Sequence, residues 1–231
     1  MFFIGDVHGE WNAYRYIINK MQLKGGKKGM DCSLVLGDMG IGFENITYDS
    51  VGAKSFIKDI SIQHKFIVGN HDDRKLSNTH INCLGDYGYH EKSGIFYLSG
   101  GFSVDHKWRK EEYEETGRIT WWEEEQLSNE KLEEAFKLYE EVKPSILVAH
   151  ESPLEIKHLV VTNPMKYEEH TRTETTLQQM VDSHRPDCCI FGHHHDRTEI
   201  NLDGTEYICL DTLSFGKYAD CIFEISGITW D

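Results

Sequence analysis

The stretch CCIFGHHHDR, residues 188–197, joins a run of apolar side chains to a run of imidazoles. Cys188-Cys189-Ile190-Phe191 has the length and composition of a buried strand, and Gly192 marks a bend at its end. His193, His194 and His195 come directly after. An expression tag would sit at a terminus, whereas this run stands inside the chain. Histidines at the exit of a strand read as ligands.

Five further apolar runs have strand character: Phe2 to Ile4, Ser33 to Leu36, Lys65 to Val68, Ile95 to Leu98, and Ser145 to Ala149. Helical patterns cover Trp11 to Met21, Ser50 to Ile60, a Glu-rich segment between a Ser128 or Asn129 cap and Pro144, and Thr173 to Ser183. The alternation predicts an α/β domain with largely buried strands. Near the C-terminus, Thr198 to Leu202, an Asp203-Gly204 turn and Thr205 to Leu210 read as a hairpin, with Asp220 to Ile225 a further strand. A mixed sheet, or two stacked sheets flanked by helices, is expected.

The residues just past the ends of these runs carry the chemistry. Gly5-Asp6-Val7-His8, Gly37-Asp38, Gly69-Asn70-His71-Asp72, His150-Glu151 and Gly192-His193-His194-His195 each sit at a strand exit. In open α/β sheets the carboxyl ends of strands converge on one crevice, so groups distant in sequence meet in space. Carboxylates with neutral imidazoles suit divalent ions such as Mn, Fe, Zn, Ni or Co, whereas an all-oxygen set would favour Mg or Ca. With no thiolate in the set, a structural zinc site is disfavoured. Taken singly, Asp6 fits a helix cap, Asn70 a turn and His150 a satisfied buried histidine; taken together, the ordered set favours a site that holds metal.

Composition narrows the function classes. The chain has 231 residues and a net charge of 24 − 39 = −15, which argues against a partner of long nucleic acid or anionic lipid. Residues 111–141 hold twelve Glu against Arg118, Lys131 and Lys137, read as a solvated helical face. Four prolines and no linker-like tract suggest one domain over 1–231. No apolar run is long enough to cross a membrane and Met1-Phe2-Phe3-Ile4 lacks a secretory start, so a cytoplasmic protein is expected. Cys32, Cys83, Cys188, Cys189, Cys209 and Cys221 show no CxxC spacing and read as reduced, buried thiols.

The ordered series Asp6-x-His8, Gly37-Asp38, Gly69-Asn70-His71-Asp72, His150 and Gly192-His193-x-His195 resembles the calcineurin-like metallophosphoesterases. That resemblance implies an α/β fold, a four-layer α/β/β/α sandwich with mixed sheets, and two divalent ions, manganese first with Fe, Zn, Ni or Co as alternatives. It places Asp6, His8 and His195 at one ion, Asn70, His150 and His193 at the other, and Asp38 between them. His194 falls at the variable position. His71 is implied as the acid or phosphate-contacting group, and the attacking group as a water activated by the metals.

Departures from the family pattern bear on specificity. Protein serine/threonine phosphatases of the superfamily carry an Asp-Arg-Gly segment downstream of Gly-Asp, where this chain has Ile41 and Gly42. That leaves His71 with Asp72, or no carboxylate, as its orienting partner. The stretch Gly100-Gly101-Phe102-Ser103, with Asp105, Trp108 and Arg109 after it and Trp121-Trp122 later, resembles bacterial and phage members of the superfamily. Arg109 is the first candidate for binding substrate phosphate through its planar fork, ahead of Arg74 and Arg172. Expected activity is hydrolysis of phosphate esters, the partner being a small phosphate ester, a nucleotide or a phosphoprotein. The alternatives are a nucleotide or cyclic-nucleotide phosphodiesterase and, from another class, a non-catalytic scaffold of the same fold. The scaffold predicts broken ligand positions, and none is broken.

Overall fold

The computed structural model describes residues 1–23, 26–43, 60–160, 171–214 and 216–231. Its strands are β1 (Phe2–Ile4), β2 (Ser33–Val35), β3 (His64–Phe66), β4 (Tyr87–His90), β5 (Ile95–Leu98), β6 (Ile146–Ala149), β7 (Cys188–Phe191), β8 (Thr198–Leu202), β9 (Thr205–Cys209) and β10 (Ile222–Glu224). The α-helices are α1 (Trp11–Asn19), α2 (Arg74–Ser77), α3 (His106–Thr116), α4 (Asn129–Val142), α5 (Leu154–Val160) and α6 (Arg172–Ser183), with a 3₁₀ turn at Glu123–Glu125. One sheet runs in the order β10-β1-β2-β3 and the other β4-β5-β6-β7-β9-β8. Both are mixed: the central strands are parallel, and β10, β4 and β8 run antiparallel at the edges.

Three apolar layers arise from side chains alternating across each strand. Phe3 and Leu34 face Ile146, Val148 and Ile190 between the two sheets. Their neighbours Ile4 and Val35 turn the other way, onto Tyr14, Ile17 and Ile18 of α1. On the far side of the larger sheet, Leu147, Cys189 and Phe191 meet Leu132 and Tyr139 of α4, Ile156 of α5 and Leu177 of α6. Truncating a fully buried aliphatic in such a layer costs roughly 2–5 kcal/mol. The result is the expected order of helix, sheet, sheet and helix.

Local signals set the ends of several elements. Ser128 caps α4 by accepting from the Lys131 amide, and Thr171 forms a reciprocal capping box with Glu174 at α6. In the β8–β9 turn, Asp203 and Gly204 both take positive φ, 52° and 92°, as a two-residue hairpin requires. The third ladder is His64–Phe66, ending two residues before the expected Val68. The expected helix from Ser50 to Ile60 lies almost wholly outside the described residues. Strand β4, helices α2 and α5 and the start of α3 are additions to the sequence reading; α3 buries none of its residues. All six cysteines are free thiols, five of them buried.

Because β1, β2 and β3 are parallel, their carboxyl ends share one edge, and the same holds for β5, β6 and β7. With the sheets stacked face to face, the two edges open on a common crevice.

Candidate metal centre

Every strand exit singled out in the sequence contributes to that crevice. Asp6 and His8 leave β1, Asp38 comes after β2, Asn70 and His71 after β3, His150 directly after β6, and His193 and His195 leave β7. His195 Nε2 lies 2.9 Å from Asp6 Oδ2 and 2.9 Å from His8 Nε2. On the other side, His150 Nε2 is 2.8 Å from Asn70 Oδ1. Asp38 stands between, with Oδ2 at 3.7 Å from His8 Nε2 and Oδ1 at 3.4 Å from His150 Nε2. Donor atoms of Asp6, His8 and His195 lie within 4.8 Å of one another, as do those of Asp38, His150 and His193.

The backbone is bent hard to bring these groups together. His8, Asp38, His193 and His195 have φ of 46°, 49°, 65° and 56°, left-handed values that non-glycine residues seldom adopt. Space is equally tight: a Cβ on Gly69 would come within 2.1 Å of Asp38 Oδ1. Asp72 secures the two loops by accepting from the amides of Met39, Gly40, Ile41 and Gly69. Its oxygens are therefore committed to backbone. His71 Nδ1 instead lies 3.5 Å from Asp38 Oδ2, so Asp72 does not serve as the orienting partner of His71.

Charge in the crevice is strongly perturbed. Burial opposes ionisation of Asp6, yet hydrogen bonds from His195 and His8 hold its carboxyl well below the usual range. Burial likewise opposes Asp38, and the His150, His71 and His8 imidazoles hold it low. His8 resists its own burial because Asp6 and Asp38 face it, and it rises to about 8. Burial dominates at His71, helped by repulsion from His8 and Arg109, and takes it down to about 4. Convergent imidazole nitrogens around two low carboxylates make a donor set that suits divalent cations.

Outer contacts hold some donors in place. His150 Nδ1 is 2.8 Å from the Leu36 carbonyl, which can only accept. Nδ1 is thus the protonated nitrogen and Nε2 the lone-pair donor, the arrangement that outer carbonyls and carboxylates impose on metal-binding histidines. Glu151 was named at its strand exit in the sequence but given no role. It is buried, with Oε2 3.3 Å from His193 Nε2 and Oε1 3.1 Å from His194 Nε2. His194, the variable position, is also buried and lies 2.9 Å from Ser152 Oγ. The middle histidine is thus a packed member of the wall.

At the mouth, Phe43 packs on His71 with ring centroids 4.8 Å apart. The Arg109 guanidinium carbon sits 5.3 Å from the Phe43 ring, and Nε donates to Asp105 at 2.7 Å. The two other arginine candidates are engaged elsewhere. Arg74 binds Asp86 and the carbonyls of Glu124 and Glu125, and Arg172 binds the carbonyls of Leu127 and Gln126.

Comparison with known proteins identifies the family and the fold. The family model for calcineurin-like phosphoesterases matches residues 1–197, and the chain belongs to that family. It is accordingly a metal-dependent phosphoric ester hydrolase. In fold it is similar to a phosphopantetheinyl hydrolase from Mycobacterium tuberculosis, at 13% identity and TM-score 0.53, covering 98% of this chain and 95% of that one. A dimetal phosphatase from Danio rerio matches at 14% identity and TM-score 0.49, over 80% of this chain and 73% of the other. No curated protein sequence matches the chain. No helix among the described residues is long and apolar enough to cross a membrane.

Proposed function

We propose that the chain, acting as one domain over 1–231, is a two-metal phosphatase that hydrolyses small phosphate monoesters, with manganese the favoured ion. The observation that carries this reading is Asp38, whose two carboxylate oxygens face the two opposite donor groups. Asp6, His8 and His195 would hold one ion, and Asn70, His150 and His193 the other. When bound, such a pair activates water and takes up charge on the phosphoryl oxygens. His71 then contacts the phosphate or protonates the leaving oxygen, and the negative charge of a bound phosphate opposes the downward shift of its imidazole. Arg109, held by Asp105 and Phe43, directs its remaining guanidinium donors to phosphate oxygens. Free, mostly buried thiols suit a reducing compartment, which supports work in the cytoplasm.

The Phe43 ring on His71, with the Trp122 ring 6.2 Å from that of Phe43, favours a second reading in which a nucleotide or cyclic nucleotide is the substrate. Hydrolysis of p-nitrophenyl phosphate and its bis-ester, with Mn, Ni, Zn or Mg added and the metal content measured, tests both. Two ions per chain with chelator-sensitive turnover of the monoester are expected. Preference for the bis-ester would move the assignment to a phosphodiesterase. Absence of turnover with every ion would leave a scaffold.

A further inference from the structure

Ser103 belongs to the Gly100-Gly101-Phe102-Ser103 stretch, and Glu125 to the Glu-rich segment that reads as solvated. Neither was assigned a role by its sequence pattern. In the fold both are buried, Ser103 to 2% and Glu125 to 4% exposure. Asn70 Nδ2 donates to Ser103 Oγ at 3.0 Å, and Ser103 Oγ donates to Glu125 Oε2 at 2.6 Å. Glu125 Oε1 accepts from the Ser103 amide at 3.0 Å, so the carboxylate grips the serine at two points.

Surrounding residues are shaped to this contact. Arg74 ties down the Glu124 and Glu125 carbonyls. A side chain on Gly100 would meet the Glu125 carbonyl oxygen at 2.7 Å, and its φ of 98° belongs to the left-handed region. A Cβ on Gly101 would crowd His150 Cδ2 at 2.9 Å. The two glycines therefore let this loop lie against the 3₁₀ turn on one side and His150 on the other.

We infer that Ser103 and Glu125 are positioning residues that hold the Asn70 amide with its nitrogen outward and its oxygen turned to His150. An asparagine side chain can present either end. Only the oxygen is a metal donor, and only the amide nitrogen can donate to Ser103 Oγ while that hydroxyl gives its own proton to Glu125. The inference rests on the two-ion reading above and assigns to one of its two sites an outer support reaching into the Glu-rich segment.

Calorimetric titration of Mn²⁺ into full-length, chelator-stripped protein tests it, with far-UV circular dichroism as the check on folding. Wild type is expected to take up two ions. Ser103→Ala and Glu125→Ala should leave one ion unaffected and weaken the other about 10–100-fold, the usual cost of losing an outer partner. Ser103→Thr, which keeps the hydroxyl, should match wild type, and the Ser103→Ala/Glu125→Ala double variant should be no weaker than Ser103→Ala alone. Two wild-type affinities in Ser103→Ala, or equal weakening of both sites, would overturn the positioning role and leave the two-ion reading standing. Fewer than two ions on wild type would remove the two-ion reading itself. If Ser103→Ala does not fold, Glu125→Ala decides on the same criteria.

Discussion

The two halves of the crevice are built differently. Asn70 and His150 are almost wholly buried, and the side chains of Asn70, His150 and His193 are braced by Ser103, the Leu36 carbonyl and Glu151 in turn. The side chains of His8 and His195 face each other and Asp6, and that of His195 keeps 39% of its surface exposed. One half is braced from outside by neighbouring groups; the imidazoles of the other contact each other and Asp6. Braced donors lose little freedom on binding, so the buried half should hold its ion more tightly and exchange it more slowly.

The severest test of this contrast removes what the halves share. Asp38→Asn is expected to abolish uptake of both ions and bring p-nitrophenyl phosphate hydrolysis to background, a larger loss than the contribution of any single acid; retention of turnover would break the scheme. His71→Ala removes an imidazole that neighbours Asp38 and His8 but is not counted among the proposed metal donors. It should lower kcat by about 10²–10⁴, the range for a well-placed general acid, while metal content by elemental analysis stays at two. Glu151→Gln should cost about 10–100-fold in affinity for one ion only, and calorimetry showing the other site weakened instead would reverse the assignment of halves.

The smallest effect concerns pH. Burial raises Glu125 from 4.5 to about 7, against the bonds from Ser103. A carboxyl raised on folding contributes stability that is present below its unfolded value and lost as pH climbs through the folded one. Relative to Glu125→Gln, wild type should therefore lose stability between about pH 4.5 and pH 7. Urea unfolding of the ion-free proteins at pH 5 and pH 8 measures that gap, and a constant gap would sink the claim.

The residues that converge in the crevice were legible because each sits beside a short apolar run, and parallel strands bring such exits to one edge. Six runs of this kind and the Asp203-Gly204 hairpin were enough to place the layers. Strand β4 was not legible: Tyr87, Gly88, Tyr89 and His90 are all half-buried at a sheet edge and leave no apolar alternation. The start of helix α3, before the Glu-rich stretch, escaped because a helix with no buried residue has no stripe to read. Glu125 resembles its solvated neighbours in type and differs only in what folds over it. Asp72 looked like a partner for His71 through adjacency, but four backbone amides across two loops claim it, and loops distant in sequence give no local sign of such a claim.

The left-handed backbone at His8, Asp38, His193 and His195 constrains anyone wishing to toughen this enzyme. Each such bend costs on the order of 1–3 kcal/mol, and the usual remedy is glycine, which tolerates the conformation but carries no imidazole or carboxylate. With these four as the proposed donors, the bend and the donor have to be the same residue, so the least comfortable positions among them are also the least exchangeable. Thermostabilising libraries should leave these four codons fixed and seek their gains in the apolar layers or on the solvent faces of α3 and α4.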